Sequence, residues 1–378
     1  MKRTGTAELP LHGGAAPPWL LSRMKGLAGP MLEIIVETSG PDELLRRLAQ
    51  PAWFQALGCV LGFDWHSSGV TTVLTGVLKS VMTPQLGIMV AGGKGKRSRL
   101  ATAEIAEIGG IFALGGDRVG ELAGASRLSA KVDNTAIQSG HTLYHHAFFV
   151  TGEGKWAVVQ QGMDPERRTA RRYHWLSEHV RAFTEEPHDA IVGENAGDRV
   201  LDMTAPESRE SRQVSLDLVK DGIPPLRSAF LELRKEPQKT LDSWAPGDGP
   251  PPRPVAGVDA DLVLRMPRTI DWDALERAHE LQPRGYDELL AVQGVGRAAI
   301  RGLALVSEMV YGAEPSWKDP VRYSFAYGGK DGVPRPVDRR AMDESIEFLR
   351  RAVDEARLGK EERLSAFRRL GQLELAGA

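Results

Sequence analysis

The densest chemistry in the sequence lies at 131–175, and Leu143 to Met163 within it carries a strand pattern. Leu143–Thr151 (LYHHAFFVT) and Trp156–Met163 (WAVVQQGM) are rich in aromatic and β-branched residues, and Thr151–Lys155 between them carries two glycines. This pattern predicts two antiparallel strands joined by a hairpin turn. Alternation sets His145 with Ala147 and Phe149 on one face, and His146 with Tyr144 and Phe148 on the other. Gln160 and Gln161 also face opposite ways. Imidazoles and amides inside apolar strands cost stability unless they are hydrogen-bonded or used. Asp133, His141, His145 and His146 lie close together in the chain. Arg167, Arg168, Arg171 and Arg172 follow, interleaved with Tyr173, His174 and Trp175. Basic groups among aromatics suit a nucleic-acid backbone and unstacked bases. A lone histidine in such a strand reads as a satisfied core group. Three within His141–His146, beside Asp133 and an amide pair, point to a site.

Most of the remaining chain reads as helix. Trp19–Val36 has a break expected at Gly29-Pro30, and Pro41-Asp42-Glu43 opens a second short helix. Pro51 opens the apolar helix PAWFQALGCVLGF, and another runs from Val70 to Val81. Leu86–Val90 reads as a short buried strand, and 101–129 as mainly helical. Further helices are expected over Ser177–Thr184, 206–221, 224–235, 271–281, 339–357 and 360–375. Residues 1–15 form an irregular arm, and 311–337 an irregular connection of a length that is often functional. The expected fold is a mixed α/β (α+β) N-terminal domain over 1–236. A Pro/Gly-rich linker or surface loop at 237–258 then leads to a mainly α-helical domain at 259–378.

Tyr286–Gly312 (YDELLAVQGVGRAAIRGLALVSEMVYG) reads as two helices joined by Gly294-Val295-Gly296, a helix-hairpin-helix. Glycines let the backbone turn tightly and approach a ligand. The free N–H groups of the second helix suit a phosphate, and Arg297 stands beside them. No side chain there is aimed at a base edge, so the contact would be independent of DNA sequence. The same pattern also fits a tight turn between two packed helices.

Two further segments carry chemistry. Gly92-Gly93-Lys94-Gly95-Lys96-Arg97-Ser98-Arg99 is glycine-rich and cationic, a segment able to grip phosphate, though without P-loop spacing. It also reads as an exposed solvated loop. Asp64 and His66 precede Ser67, Ser68, Thr71 and Thr72 at the start of the Val70–Val81 helix. Those hydroxyls serve as helix caps or as an anion site.

Composition narrows the class. With 378 residues, 42% hydrophobic and 26% charged, the chain has an ordinary globular make-up. A net charge of -2 confines any nucleic-acid site to a local patch. Cys59 is the single cysteine, which excludes an intrachain disulfide, and it lies in an apolar run. The N-terminus lacks a signal-peptide core, and no run is long and apolar enough to span a bilayer, so the expected location is the cytoplasm.

RTGTAELPLHGG, GCVLGFDWHSSGVTT, AGGKGKRSR, LYHHAFF with WAVVQQGM, RRYHWLSEHV and DPVRYSFAYGGKDG together resemble the prokaryotic family filed as domain of unknown function 763. The resemblance covers nearly the whole chain and implies no activity. The hairpin also resembles that of base-excision DNA glycosylases, which would place Asp319 near their catalytic Asp. Ala298 stands where bifunctional members carry a lyase Lys. His146, Glu153-Gly154 and Gly162 resemble one half-site of the phospholipase D superfamily, with Phe148 in place of its Lys.

The leading expectation is a DNA-processing enzyme, a metal-dependent nuclease using Mn or Mg in DNA repair. Phosphodiester hydrolysis needs an activated water and a cation to absorb developing charge. Asp64, His66, Asp133, His141, His145, His146 and Gln160 are the catalytic candidates, with Asp64, Asp133 and His146 as metal ligands. Lys94, Lys96, Arg97, Arg171, Arg172 and Gly294–Arg297 would hold DNA. A glycosylase-like enzyme and a non-catalytic DNA-binding or scaffold protein are the alternatives. A homodimer is the default assembly.

Overall fold

The computed structural model describes residues 16–63, 68–194, 200–242, 266–321 and 339–355, with Leu364, Ala366 and Arg369; for 235–242 and 339–346 it describes the backbone alone. The arm at 1–15, Asp64, His66, most of the linker and most of the 360–375 helix lie outside these residues. The fold is α+β: helices cover both faces of one five-stranded antiparallel sheet.

Three helices come first, α1 (Pro18–Ala49), α2 (Pro51–Val60) and α3 (Gly69–Val81). The chain stays helical through Pro30. It breaks instead at Gly40, whose φ of 83° and ψ of 163° are non-helical. Gly40 precedes Pro41, and the residue before a proline is driven out of the α region. Strand β1 (Ile88–Lys94) follows, then the 3-10 turn Gly95–Leu100, α4 (Ala101–Ile111) and α5 (Gly116–Lys131).

A π-helical turn, Val132–Ala136, leads into β2 (Ile137–Gln138). The expected hairpin is β3 (Thr142–Thr151) and β4 (Trp156–Asp164). β5 (Thr169–Leu176) and β6 (Ala190–Val192) complete the sheet in the order β1-β3-β4-β5-β6, while β7 (Leu201–Asp202) pairs with β2. Ser177–Thr184 forms turns rather than a helix. Phe183 there stacks on Trp156 at 6.0 Å, and Ser177 Oγ accepts the Trp156 N–H at 3.0 Å, which pins the segment to the sheet.

The remaining helices are α6 (Arg209–Asp221), α7 (Ile223–Asp242), α8 (Trp272–Leu281), α9 (Tyr286–Ala291), α10 (Arg297–Tyr311) and α11 (Arg339–Glu355). None of the described helices is long and apolar enough to cross a membrane.

Alternation along the strands makes both sheet faces apolar, and each builds a core. Ala147, Phe149, Ala157 and Val159 pack with Met31, Leu32, Trp53, Phe54 and Leu74 from α1–α3, and with Leu349 and Val353 of α11. Phe148, Val150, Val158, Tyr173 and Trp175 pack on the opposite side with Ile105, Leu122, Leu216, Ile300 and Leu303. The three helices between Trp272 and Tyr311 therefore share the sheet's second core, while α11 packs in the first. The expected boundary at 237–258 does not divide that core.

Candidate functional site

A cavity of about 540 Å3 lies between α1, α3 and the end of β1. Lys25, Thr72, Thr75, Lys79, Lys94, Lys96, Arg97 and His145 line it. The glycine turn gives the cavity its shape. Gly92 has φ +87°, and a Cβ there would fall 2.2 Å from the His146 carbonyl oxygen, so only glycine lets β1 run this close to β3. Glu104 Oε2 accepts the Gly92 N–H at 2.6 Å. Lys79 Nζ donates to Glu104 Oε2 at 2.6 Å and to Gly92 O at 2.7 Å. That clamp fixes the turn and neutralises Lys79. Lys25, Lys94, Lys96 and Arg97 make no ion pair among the described residues, and all four are exposed. Four uncompensated cations around one cavity attract an anion.

His145 is a wall of this cavity and is only 1% exposed. Its Nε2 lies 2.9 Å from Thr75 Oγ1, and its Nδ1 has no hydrogen-bond partner. Burial pushes the imidazole down to about 3, helped by the adjacent His146 and Lys94. It is neutral at physiological pH.

From the cavity a polar row runs across the sheet beneath α3. Lys94 pairs with His145, His145 with Gln161, and Gln161 with Arg172 along the β1–β3–β4–β5 ladders. Thr71 and Thr75, one helical turn apart on α3, meet this row. Thr71 donates to Gln161, whose Nε2 donates to Ser68 O at 3.0 Å and to the Tyr144 hydroxyl. Strict alternation would turn Tyr144 to the other face. A register shift between Leu143 and His145 brings it to Gln161 instead.

Arg172 ends the row, fully buried. Its Nε donates to His174 Nε2 at 2.9 Å, its Nη1 and Nη2 to Gln55 Oε1 at 3.3 Å, and its guanidinium lies 4.9 Å over Phe54. Burial lowers it to about 9. Arg171, one residue earlier, faces the opposite core. It ion-pairs with Asp319 at 2.6 Å, with neither side chain exposed. Of the expected basic cluster, Arg171 and Arg172 thus lie in strand β5 and present no charge to solvent, while Arg167 and Arg168 are exposed in the turn before it. Asp319, the candidate of the glycosylase likeness, is the buried partner of Arg171.

Asp133, His146 and Gln160 do come together, against α5. Ser126 Oγ and Gln160 Oε1 lie 2.9 and 2.7 Å from the two ring nitrogens of His146. Gln160 Nε2 donates to Ser129 O at 3.1 Å and to Asp133. Trp175 Nε1 donates to the same Asp133 carboxylate at 2.9 Å, and His188 Nε2 bonds its other oxygen. Asp133 is 0% exposed and holds three partners, so this network is a satisfied buried lattice. Among the described residues, no three or more of His, Cys, Asp and Glu group as metal ligands. Asp64 and His66 fall outside them.

His141 sits apart, between Ser139 Oγ at 3.0 Å and Thr169 Oγ1 at 3.1 Å. Burial and the nearby Arg171 charge hold it to about 4.

At the glycine hairpin, Gly294 has φ +91°, and α10 starts at Arg297 with no side-chain cap. Val295 is buried and its carbonyl accepts from Lys131 at 2.8 Å. Arg297 turns toward its own chain. It donates to Thr142 Oγ1 at 3.0 Å and to His141 O at 3.1 Å.

The family described as Protein of unknown function (DUF763) matches residues 5–337. The chain belongs to this family. No curated protein and no solved structure matches it. Within the matched span of this DUF763 chain, the structure joins Lys94, Lys96 and Arg97 to His145. It separates them from Asp133, His146 and Gln160, which lie across the sheet. Sequence reading missed Lys25, Thr75, Lys79 and His188. The four-residue spacing of Thr71, Thr75 and Lys79 on one helix face was the available signal for two of the cavity's contacts, Thr75 and Lys79.

Proposed function

We propose that this DUF763 protein binds DNA through its phosphate backbone, independently of base sequence, with a phosphate seated in the cationic cavity. The observation that carries the reading is the convergence of Lys25, Lys94, Lys96 and Arg97, none of them ion-paired among the described residues, on one cavity whose backbone edge is glycine. Such groups contact phosphate and carry no base information.

The glycine hairpin supplies a second contact surface, as a helix-hairpin-helix. Its support is the uncapped start of α10 and the exposed Gln293-Gly294 tip. Arg297 bonds Thr142, three residues before His145 on β3, so one strand of the sheet links the hairpin to the cavity wall.

Filter binding of labelled single-stranded and duplex DNA of unrelated sequences tests the proposal, with Mn, Mg and EDTA arms to detect cleavage. Similar affinities across sequences support it, and absence of binding at low salt contradicts it. Cleavage abolished by EDTA adds the metal-dependent nuclease to the reading. Binding without cleavage makes the protein a non-catalytic DNA binder.

A further inference from the structure

The hydroxyls that line the cavity spend their protons on their own helix. Thr72 Oγ1 donates to Gly69 O at 3.2 Å, Thr75 Oγ1 to Thr71 O at 2.7 Å and Ser80 Oγ to Val77 O at 2.7 Å, all within α3. Lys79 is held by Glu104 and by Gly92 O. The exposed side-chain donors that remain are Lys25, Lys94, Lys96 and Arg97. Among the described residues, no Asp or Glu lines the cavity beside them.

Four cations without a carboxylate among them suit a ligand that carries more than one negative charge. A phosphodiester inside a DNA strand carries one, spread over two unesterified oxygens. A phosphomonoester carries about 1.5 to 2 at pH 7 and presents three strong acceptor oxygens.

The shape agrees with the charge. α1, α3, β1 and the 3-10 turn wall a space of about 540 Å3, on the scale of pockets for small ligands and larger than a lone phosphate fills. Val90 and Ala147, both buried, give it an apolar floor beneath the cationic rim. A pocket of that size surrounds a nucleotide. An internal nucleotide continues into the strand on both sides and needs two exits, whereas a terminal one needs a single exit.

We infer that the cavity takes a DNA strand end that carries a phosphomonoester, with the terminal phosphate held by Lys25, Lys94, Lys96 and Arg97. The inference rests on the DNA-binding reading above and names the part of DNA that the same site holds.

The test uses one internally labelled single-stranded oligonucleotide in three forms, with a 5′-phosphate, with a 3′-phosphate, or with a hydroxyl at both ends. On the wild-type protein, fluorescence anisotropy should show a phosphorylated end bound about tenfold more tightly than the hydroxyl strand, the effect of one further charge-assisted hydrogen bond. The end that gains is the end the cavity holds. The Lys94→Ala, Lys96→Ala, Arg97→Ala triple variant should bring the ratio close to one. If that variant fails to fold, inorganic phosphate added to the wild type should erase the difference between the ends, while chloride at equal ionic strength preserves it. Equal wild-type affinity for all three strands overturns the inference and leaves DNA binding intact. A free nucleoside 5′-monophosphate bound as tightly as the phosphorylated strand overturns the choice of a strand end. No binding of any strand overturns this inference together with the reading it rests on.

Discussion

Lys94 and His145 stand opposite each other across the β1–β3 ladder, the last paired position of β1. Paired residues share a sheet face, so the pairing sets a cation at the rim of the cavity directly against the neutral imidazole in its wall. One residue back, Gly93 opposes His146, whose side chain belongs to the other core. Two adjacent histidines thus serve separate environments, one at a cavity and one in a closed network.

Gly92→Ala tests the close approach on which the cavity depends. The left-handed φ alone costs about 1–3 kcal/mol for a residue with a side chain, and the contact with His146 O adds to it. The expected result is a clear fall in denaturation midpoint. An unchanged midpoint would show that β1 does not run this close to β3.

Asp133→Asn tests whether the inner network is structural. The carboxylate accepts from Gln160 and Trp175 and pairs with His188. An amide in its place presents a donor where only an acceptor fits, at a cost of about 1–3 kcal/mol. Chemical denaturation should report that loss. A variant with wild-type stability and abolished activity would restore Asp133 to a catalytic role.

Asp319→Ala removes the buried partner of Arg171. Leaving a buried charge without its partner costs about 3–5 kcal/mol, and the melting temperature should drop accordingly. Retention of full stability with loss of a base-excision activity would instead favour the glycosylase likeness.

Stability should decline in acid. Burial holds His145 to about 3 and His141 to about 4, and lowers His146 and His174 too. Unfolded imidazoles titrate near about 6.5. Below that value the unfolded chain takes up protons that the folded chain refuses. Stability complete above about pH 6.5 is therefore lost as the pH falls toward the folded values, by up to about 1.4 kcal/mol per pH unit for each imidazole. Thermal melts at stepped pH check this, and a midpoint constant from about pH 7 to 5 would contradict it.

The β3–β4 hairpin, α3, and the helix pair around Gly294 were legible because their signals are local: period-two alternation, a continuous apolar helix, a glycine turn. The glycine-cation segment was legible for the same reason. β5 was not. Arg171 and Arg172 read as surface charge because charged side chains are seldom fully buried unless paired. The partner of Arg171 lies 148 residues away at Asp319, and the contacts of Arg172 with Gln55 are 117 residues away. Neither separation leaves a trace in local pattern. Asp133 looked like a catalytic carboxylate because its neighbours in sequence are polar. Its partners Gln160, Trp175 and His188 become visible only when the sheet brings β4, β5 and the segment before β6 against the π-helical turn.

The central claim is that the cavity's cations hold DNA phosphate, and salt dependence tests it most directly. Fluorescence anisotropy of a labelled oligonucleotide over a series of salt concentrations compares the wild type with the Lys94→Ala, Lys96→Ala, Arg97→Ala triple variant. The three side chains are exposed and make no ion pair among the described residues, so the variant should melt like the wild type. Each lost phosphate contact on single-stranded DNA should flatten the log–log slope by about 0.7. The account predicts weaker binding to all sequences and a slope shallower by up to about 2. An unchanged slope and affinity in a normally folded variant would contradict it.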